Sequence, residues 1–182
     1  MKKVIFASDI HGSAYWCRQL LSQAEKQDAD KIVLLGDLLY HGPRNPLPQE
    51  YAPMDVAEML SNVKEKLLCV RGNCDSEVDQ MVLPFPMFAD YALLDAQDMQ
   101  FFLTHGHLYG EQNPPLLQSG QILFNGHTHT PRMVTLYGGA IYANCGSVSL
   151  PKEGTPHSYV LFENGKLTWY NLQTGEPFQP IY

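Results

Sequence analysis

Five short stretches of the chain place carboxylate, imidazole or amide side chains beside glycine. In order along the chain they are Ser8-Asp9-Ile10-His11-Gly12, Gly36-Asp37, Gly72-Asn73, Thr104-His105-Gly106-His107 and Gly126-His127-Thr128-His129. Asp9 and His11 are two residues apart, so in extended backbone their side chains point to one side and can chelate the same ion. This mixed set of oxygen and nitrogen donors suits manganese, iron or zinc.

The first half of the chain predicts strands that would bring these donors together. Residues 3–8, 31–36 and 66–71 are short apolar runs typical of buried parallel strands, and apolar residues recur at helical spacing between them. In such a β-α-β-α-β arrangement the carboxyl ends of neighbouring strands lie at one edge of the sheet. Asp9 or His105 alone has an ordinary explanation, as a helix cap or a hydrogen-bonded core histidine. Five such clusters at predicted strand ends favour one shared site.

The second half predicts mainly β-structure. Residues 91–94, 100–104 and 122–125 are strand candidates, and Gly138-Gly139 and Asn164-Gly165 stand where hairpin turns belong. The proline-rich residues 41–53 exclude helix and central strand and predict an ordered surface loop. We expect one globular domain over residues 1–182.

Composition limits the classes of function. The net charge of -7 gives nucleic acid no broad basic surface, and no apolar run or leader predicts a membrane segment or export. Four cysteines without a CxxC pair fit a reducing compartment. These features predict a soluble, cytoplasmic protein.

Five motifs resemble those of the calcineurin-like metallophosphoesterase superfamily. They are, in order along the chain, D-x-H, G-D, G-N-x-D, G-H and G-H-x-H. The small size and close spacing are similar to the compact bacterial phosphodiesterase branch. This resemblance covers Asp9 to about Pro151. It implies an α/β fold, a four-layer α-β-β-α sandwich with a dinuclear metal site at the strand carboxyl ends.

The resemblance also implies a role for each donor. The first metal would be held by Asp9, His11 and His129, the second by Asn73, His105 and His127, with Asp37 bridging both. Two divalent ions, Mn²⁺ in the first place and Zn²⁺, Fe or Ni²⁺ as alternatives, would bind each chain. The implied activity is hydrolysis of small phosphodiesters by in-line attack of a hydroxide that bridges the ions.

Cys74 departs from the family pattern, which usually has histidine after the metal-binding asparagine. A thiol is a weak hydrogen-bond donor and replaces an imidazolium poorly, so we expect a preference for acidic leaving groups such as aryl esters. Cys74 is thus a catalytic candidate together with Asn73 and Asp37. Asp75 has two interpretations: it accepts a hydrogen bond from a metal-binding imidazole, for instance that of His11, or it caps the following helix.

Further residues are candidates for substrate binding. Arg44 follows Asp37 within the proline-rich loop and has the geometry to bind phosphate oxygens, although a solvated loop charge is the commoner outcome. His41 and His107 are weaker candidates of the same kind. Asn144-Cys145-Gly146-Ser147 resembles a closing turn of the family, for which we expect a structural role.

Two other functions remain open at this stage. Some superfamily members, including a subunit of the retromer coat, use this fold as a non-catalytic interaction scaffold. A structural zinc module is the third alternative, and its ligands would be spread over five strand ends. The branch includes homo-oligomers, so assembly of identical chains is also among the expectations.

Overall fold

In a computed structural model, which describes residues 2–182, the chain folds into two mixed β-sheets packed face to face. The strands are β1 (Lys3–Ala7), β2 (Lys31–Leu34), β3 (Leu67–Cys69), β4 (Tyr91–Ala96), β5 (Met99–Thr104), β6 (Ile122–Asn125), β7 (Pro131–Thr135), β8 (Ile141–Cys145), β9 (Ser158–Glu163), β10 (Lys166–Asn171) and β11 (Pro177–Phe178). The helices are α1 (Ala14–Lys26), α2 (Pro53–Ser61) and α3 (Glu77–Val82), with a 3₁₀ turn at Lys64–Lys66.

Each sheet has three parallel strands. The first sheet has the order β11-β10-β9-β1-β2-β3, in which β1, β2 and β3 are parallel and the remaining pairs antiparallel. The second has the order β4-β5-β6-β8-β7, in which β5, β6 and β8 are parallel and both edge strands antiparallel. The β-α-β-α-β start and the β-rich second half are therefore confirmed.

Alternate residues of β1 belong to two different cores. Ile5 and Ala7 pack with the helices on the outer face of the first sheet. Val4 and Phe6 point the other way and pack against the second sheet, where the Phe6 ring stacks on Phe124 with centroids 4.3 Å apart. Because successive side chains of a strand point to opposite faces, the apolar residues 4–7 of this strand join both layers.

Turn chemistry sets several boundaries. Asn164 and Gly165 form the β9–β10 turn with φ of 52° and 71°, as a two-residue hairpin of this type requires, and Gly138-Gly139 lies between β7 and β8. The interpretation of residues 41–53 was wrong at its end, because Pro53 is the first residue of α2. Proline suits that position, where its missing N–H has no helical partner.

The predicted fourth layer of helices is absent from residues 2–182. All three α-helices lie before β4, and the cluster that includes α1 and α2 packs on the first sheet. The long connection from β5 to β6 contains Pro114-Pro115 and three glycines, which disfavour a helix over the second sheet. Tyr91 and Leu93 of that sheet are consequently exposed. The described part of the molecule has three layers, α-β-β.

No helix among residues 2–182 combines the length and the apolar composition that a membrane crossing requires.

We expect Phe6→Ala to lower the free energy of unfolding by about 3–5 kcal/mol, because it leaves a cavity between the sheets. Phe6 is fully buried and contacts the rings of Phe101 and Phe124. Urea denaturation followed by circular dichroism measures the change. Leu93→Ala, at a side chain that is 59% exposed, serves as the control and should change stability by no more than about 0.5 kcal/mol. Equal effects of the two substitutions would contradict the assignment of this core.

Candidate metal centre

The ends of five strands converge on one cluster of polar side chains. They supply Asp9 and His11 after β1, Asp37 after β2, Asn73 after β3, His105 after β5, and His127 and His129 after β6. The structure thus brings together all seven residues that the resemblance implies as ligands. Most of them are buried, although they are charged or polar.

One half of the cluster contains two imidazoles and a carboxylate. Asp9 Oδ1 lies 3.2 Å from His129 Nε2 and 3.6 Å from His11 Nε2, and the two imidazole nitrogens are 3.3 Å apart. The three groups could therefore hold one metal ion.

The other half is organised around His105. Its Nε2 lies 3.0 Å from Asn73 Oδ1 and 3.4 Å from Asp37 Oδ2, and its ring centroid is 5.0 Å from that of His127. Asp37 Oδ2 is also 3.7 Å from His11 Nε2. The Asp37 carboxylate therefore lies between the two halves.

Three histidine rings are oriented by backbone carbonyls. The Nδ1 atoms of His11, His105 and His129 lie 2.8, 2.6 and 2.6 Å from the carbonyl oxygens of Tyr40, Leu35 and Leu150. A carbonyl only accepts, so each Nδ1 must carry the proton and donate it. Each Nε2 is then left to face the cluster, as in metal-binding histidines.

The donor set fits a cation. With Nδ1 protonated, neutral His11 and His129 would direct two lone pairs at each other across 3.3 Å. Asp9 Oδ1, between them, is buried without a hydrogen-bond partner. Either extra protons or a metal ion must neutralise this arrangement, and oxygen and imidazole donors of this kind bind first-row divalent metals.

The pKa values show how strongly the buried groups interact when protons, and not a metal ion, neutralise the cluster. Burial would raise the pKa of Asp9, but the adjacent imidazoles of His11 and His129, once they carry extra protons, hold it well below its usual range. Burial would lower the pKa of His105, yet Asp37 and Asp9 raise it to about 9. Burial and the nearby His105 lower the pKa of His127 to about 4. Metal binding at this cluster must therefore compete with protons.

Five residues of the cluster have a strained backbone conformation. The left-handed region, with φ between 50° and 66°, contains Asp9, His11, Asp37, His127 and His129. For residues other than glycine this conformation costs about 1 kcal/mol or more each, and it clusters at functional sites. This conformation turns the chain where β1, β2 and β6 end. Gly126 permits the close approach of the β1 and β6 ends, since a Cβ there would collide with Ser8 Oγ.

Both interpretations of Asp75 were wrong. Its carboxylate contacts no histidine; instead it accepts backbone N–H groups of Asp37, Leu38 and Gly72 at 2.8, 2.9 and 2.7 Å. The N-cap of α3 is the next residue, Ser76. Asp75 therefore ties the segment that carries Asp37 to the segment that carries Asn73. Burial is the main reason that its pKa lies above the usual value.

The weaker candidates have different positions. Arg44 and Cys74 line a pocket of about 500 Å³ beside the cluster, together with Asp37, Asn73, His127 and His129. His107 lies at the edge of the cluster, with its ring 5.4 Å from that of His105. His41 does not line this pocket and packs edge-on between Tyr40 and Tyr51.

Other lining residues were missed from the sequence. Lys152, Asn45 and Thr128 also face the pocket, and Lys152 N donates to the carbonyl of His129 at 3.2 Å. Lys152 follows β8 by several residues and has no motif that would identify it. Its position depends on the loop that returns towards β6.

The end of β8 and the turn that follows it support the cluster through hydrogen bonds. Asn144 Nδ2 donates to the carbonyl of Gly126 at 2.6 Å, and Ser147 Oγ donates to the carbonyl of Asp9 at 3.0 Å. Ser149 Oγ makes a second bond to the same Asp9 carbonyl. These contacts agree with the structural role expected for the turn.

Comparison with known proteins gives consistent results. Residues 1–166 match the calcineurin-like phosphoesterase superfamily domain. The chain is 48% identical to phosphodiesterase YfcE of Escherichia coli (strain K12) over 168 residues, which cover 92% of this chain and 91% of that protein.

Solved structures show the same fold. The structure of YfcE, a phosphoesterase from E. coli, superimposes with a TM-score of 0.93 at 44% identity and covers 98% of each chain. Vps29 from Entamoeba histolytica in complex with Zn²⁺ has a TM-score of 0.61 at 18% identity, covering 97% of this chain and 96% of its own. At that identity the second likeness shows the fold alone.

We expect Asp75→Asn to weaken metal binding about ten- to a hundredfold and to lower the free energy of unfolding by about 1–3 kcal/mol. An amide offers only one acceptor oxygen, so its NH₂ group would face a backbone N–H that the carboxylate now satisfies. Competition with a chromophoric chelator measures metal affinity, and thermal denaturation measures stability.

Asp30→Asn is the matched control. Its carboxylate also accepts two backbone N–H groups, from Lys2 and Lys3, but at the opposite end of β1 from the cluster. Metal affinity should stay at the wild-type value in this variant. If Asp75→Asn bound metal as tightly as Asp30→Asn, the positioning role of Asp75 would be wrong.

Proposed function

Since the chain belongs to the calcineurin-like phosphoesterase superfamily, we propose that it is a metal-dependent phosphodiesterase that hydrolyses small phosphodiesters. The observation that carries this proposal is the paired arrangement of donors around Asp37. Three imidazole Nε2 atoms, two carboxylates and an amide oxygen face inward within a few ångströms of one another.

Two divalent ions would share these donors. Asp9, His11 and His129 would hold the first, and Asn73, His105 and His127 the second, with Asp37 bridging because its Oδ2 faces both His11 and His105. When bound, the ions would supply an activated water and offset the charge of the phosphate oxygens. We propose Mn²⁺ first, with Zn²⁺, Fe and Ni²⁺ as alternatives that the same donors accept.

The chain's own residues would place the phosphodiester. Arg44 and Lys152 line the pocket from two different loops, and neither forms an ion pair within residues 2–182. Their charges favour an anion in a protein whose net charge is -7. Asn73 contributes a neutral oxygen, which limits the negative charge that faces the phosphate.

A non-catalytic scaffold is the alternative function. The same fold occurs in Vps29, so the fold does not decide between the two. The complete donor set and its oriented histidines favour an enzyme, because a scaffold would have no use for several buried, strained polar residues. Recovery in a stable hetero-complex with negligible metal would favour the scaffold.

We further propose that residues 1–182 form one metallophosphoesterase domain in the cytoplasm, where a homo-oligomer is compatible with function. All four cysteines are free, which fits a reducing compartment.

We expect hydrolysis of bis-p-nitrophenyl phosphate in the presence of Mn²⁺, and a loss of at least about a hundredfold in kcat/KM in His127→Ala. Removal of this imidazole would deprive one metal position of a ligand. Release of p-nitrophenolate measures the rate. His157→Ala is the control, since His157 stacks on Trp16 outside the cluster and should keep most of the activity. Inactivity of the folded wild-type protein with every divalent metal would refute the proposed function.

Cys74→His should raise the turnover of dialkyl relative to aryl phosphodiesters by on the order of a hundredfold, the lower range of general-acid catalysis. Cys74 lines the pocket beside Asn73, where an imidazole could donate a proton to an alkoxide leaving group. Cys74→Ser has similar size without an imidazole and should leave the ratio near that of the wild type. An unchanged ratio in Cys74→His would show that this position does not select the leaving group.

A further inference from the structure

An apolar groove adjoins the phosphate pocket, and we propose that it binds an apolar alkyl or aryl substituent of the phosphodiester substrate. The proposal rests on the proposed function and narrows its substrate class to diesters of amphiphilic character. The groove has a volume of about 510 Å³ and is lined largely by Tyr40, Tyr51, Pro53, Met54, Val78 and Val82. It lies between the start of α2, the short helix α3 and the residues that follow Asp37.

Two polar side chains in the wall of the groove, Ser76 and Asp79, are hydrogen-bonded to each other. Ser76 N and Ser76 Oγ both donate to Asp79 Oδ2, at 2.7 and 3.1 Å, and form the capping box of α3. The Ser76 hydroxyl is therefore not a free donor for a ligand. A ligand in the groove would gain mainly from removing apolar surface from water.

The apolar side chains of the groove are unusually open to solvent. Met54 is 62% exposed, Val78 66% and Tyr40 41%. None of the residues of α3 is buried, so its valines contribute little to either core. A cluster of exposed apolar side chains beside a reaction site is a feature of ligand-binding grooves.

The groove and the phosphate pocket share one lining residue. Cys74 lines both cavities, and it follows Asn73 directly. On the pocket side its neighbours include Asp37 and His127, whereas on the groove side they include Met54 and Val78. A substituent on phosphorus can therefore pass from the polar pocket across Cys74 into the groove. The cationic residues Arg44 and Lys152 line only the pocket.

The difference in polarity between the pocket and the groove indicates where each part of the substrate binds. The phosphodiester monoanion is matched by the polar pocket and its two cations, and an uncharged chain or ring is matched by the groove. A second anionic group in the groove would find no cationic partner there and would lose hydration. The structure therefore favours an apolar substituent there over a phosphate, a carboxylate or a free sugar.

A homologous series tests the groove. Methyl, butyl and octyl esters of 4-nitrophenyl phosphate share one leaving group, so differences in kcat/KM report the binding of the alkyl chain. With the Mn²⁺-loaded protein we expect kcat/KM to rise about two- to fourfold per buried methylene until the groove is filled. A flat series, with the methyl ester hydrolysed normally, would overturn the proposal.

A double variant connects the effect to this surface. Met54→Gln with Val78→Thr makes the groove polar at two solvent-exposed positions, which allows folding to be retained. It should flatten the dependence on chain length. Leu93→Gln, which places the same kind of change at a 59% exposed leucine of the second sheet, should keep the full dependence. Equal slopes in the double variant and the wild type would contradict the assignment of the groove.

A binding measurement separates this proposal from the proposed function. Alkanesulfonates from methane- to octanesulfonate carry a comparable monoanion and are not hydrolysed, so calorimetry gives their affinities without catalysis. Affinity rising with chain length, and lost in the double variant, would support the groove even if no diester were hydrolysed. The absence of hydrolysis would then count only against the proposed function.

A different result would overturn the proposal. If the affinity for alkanesulfonates did not depend on chain length, and if the protein self-associated in a way that the double variant abolished, a second copy of the chain would be shown to cover the groove.

Discussion

The hydrogen bond from imidazole Nδ1 to a backbone carbonyl is the interaction on which the metal centre depends. His11, His105 and His129 each make this bond, and the acceptors come from segments that follow β2 and β8. The bond fixes both the tautomer and the rotation of the ring, so that Nε2 points inward. Without it, the same residues could rotate their acceptor nitrogens away from Asp9 and Asp37. The sheets matter to function mainly because they hold these carbonyls in place.

The metal-binding cluster lowers the stability of the folded state. It buries carboxylates and imidazoles and holds five non-glycine residues in the left-handed region. Two apolar cores offset this cost, and β1 contributes to both because Ile5 and Phe6 face opposite sides. Asp75 provides further support, because it accepts N–H groups from the loops that follow β2 and β3. Stability and function are thus connected through the strand ends, where packing stops and polar chemistry begins.

The surroundings of the centre divide into regions of opposite character. Arg44 and Lys152 provide local positive charge in an acidic protein, while Met54 and Val78 provide apolar surface on the other side of Cys74. A proline-rich loop and a short helix are enough to form both regions. Because Vps29 has the same fold at low identity, the sandwich by itself does not determine what the site binds.

The sequence by itself determined the parallel β-α-β-α-β start, the hairpin turns and the set of residues that meet at the strand ends. These features are local, since apolar runs, turn residues and the position of a polar residue directly after a strand are read within a few residues. The family pattern of the motifs then implied the partition into two metal positions. Only the tertiary structure decided the role of Asp75, whose acceptor contacts with Asp37 and Leu38 span more than thirty positions of the chain. It also decided that no helical layer covers the second sheet, that Lys152 reaches the pocket and that Cys74 separates a polar cavity from an apolar one. Such features depend on which distant segments pack together, and a side chain's type and neighbours along the chain do not specify that.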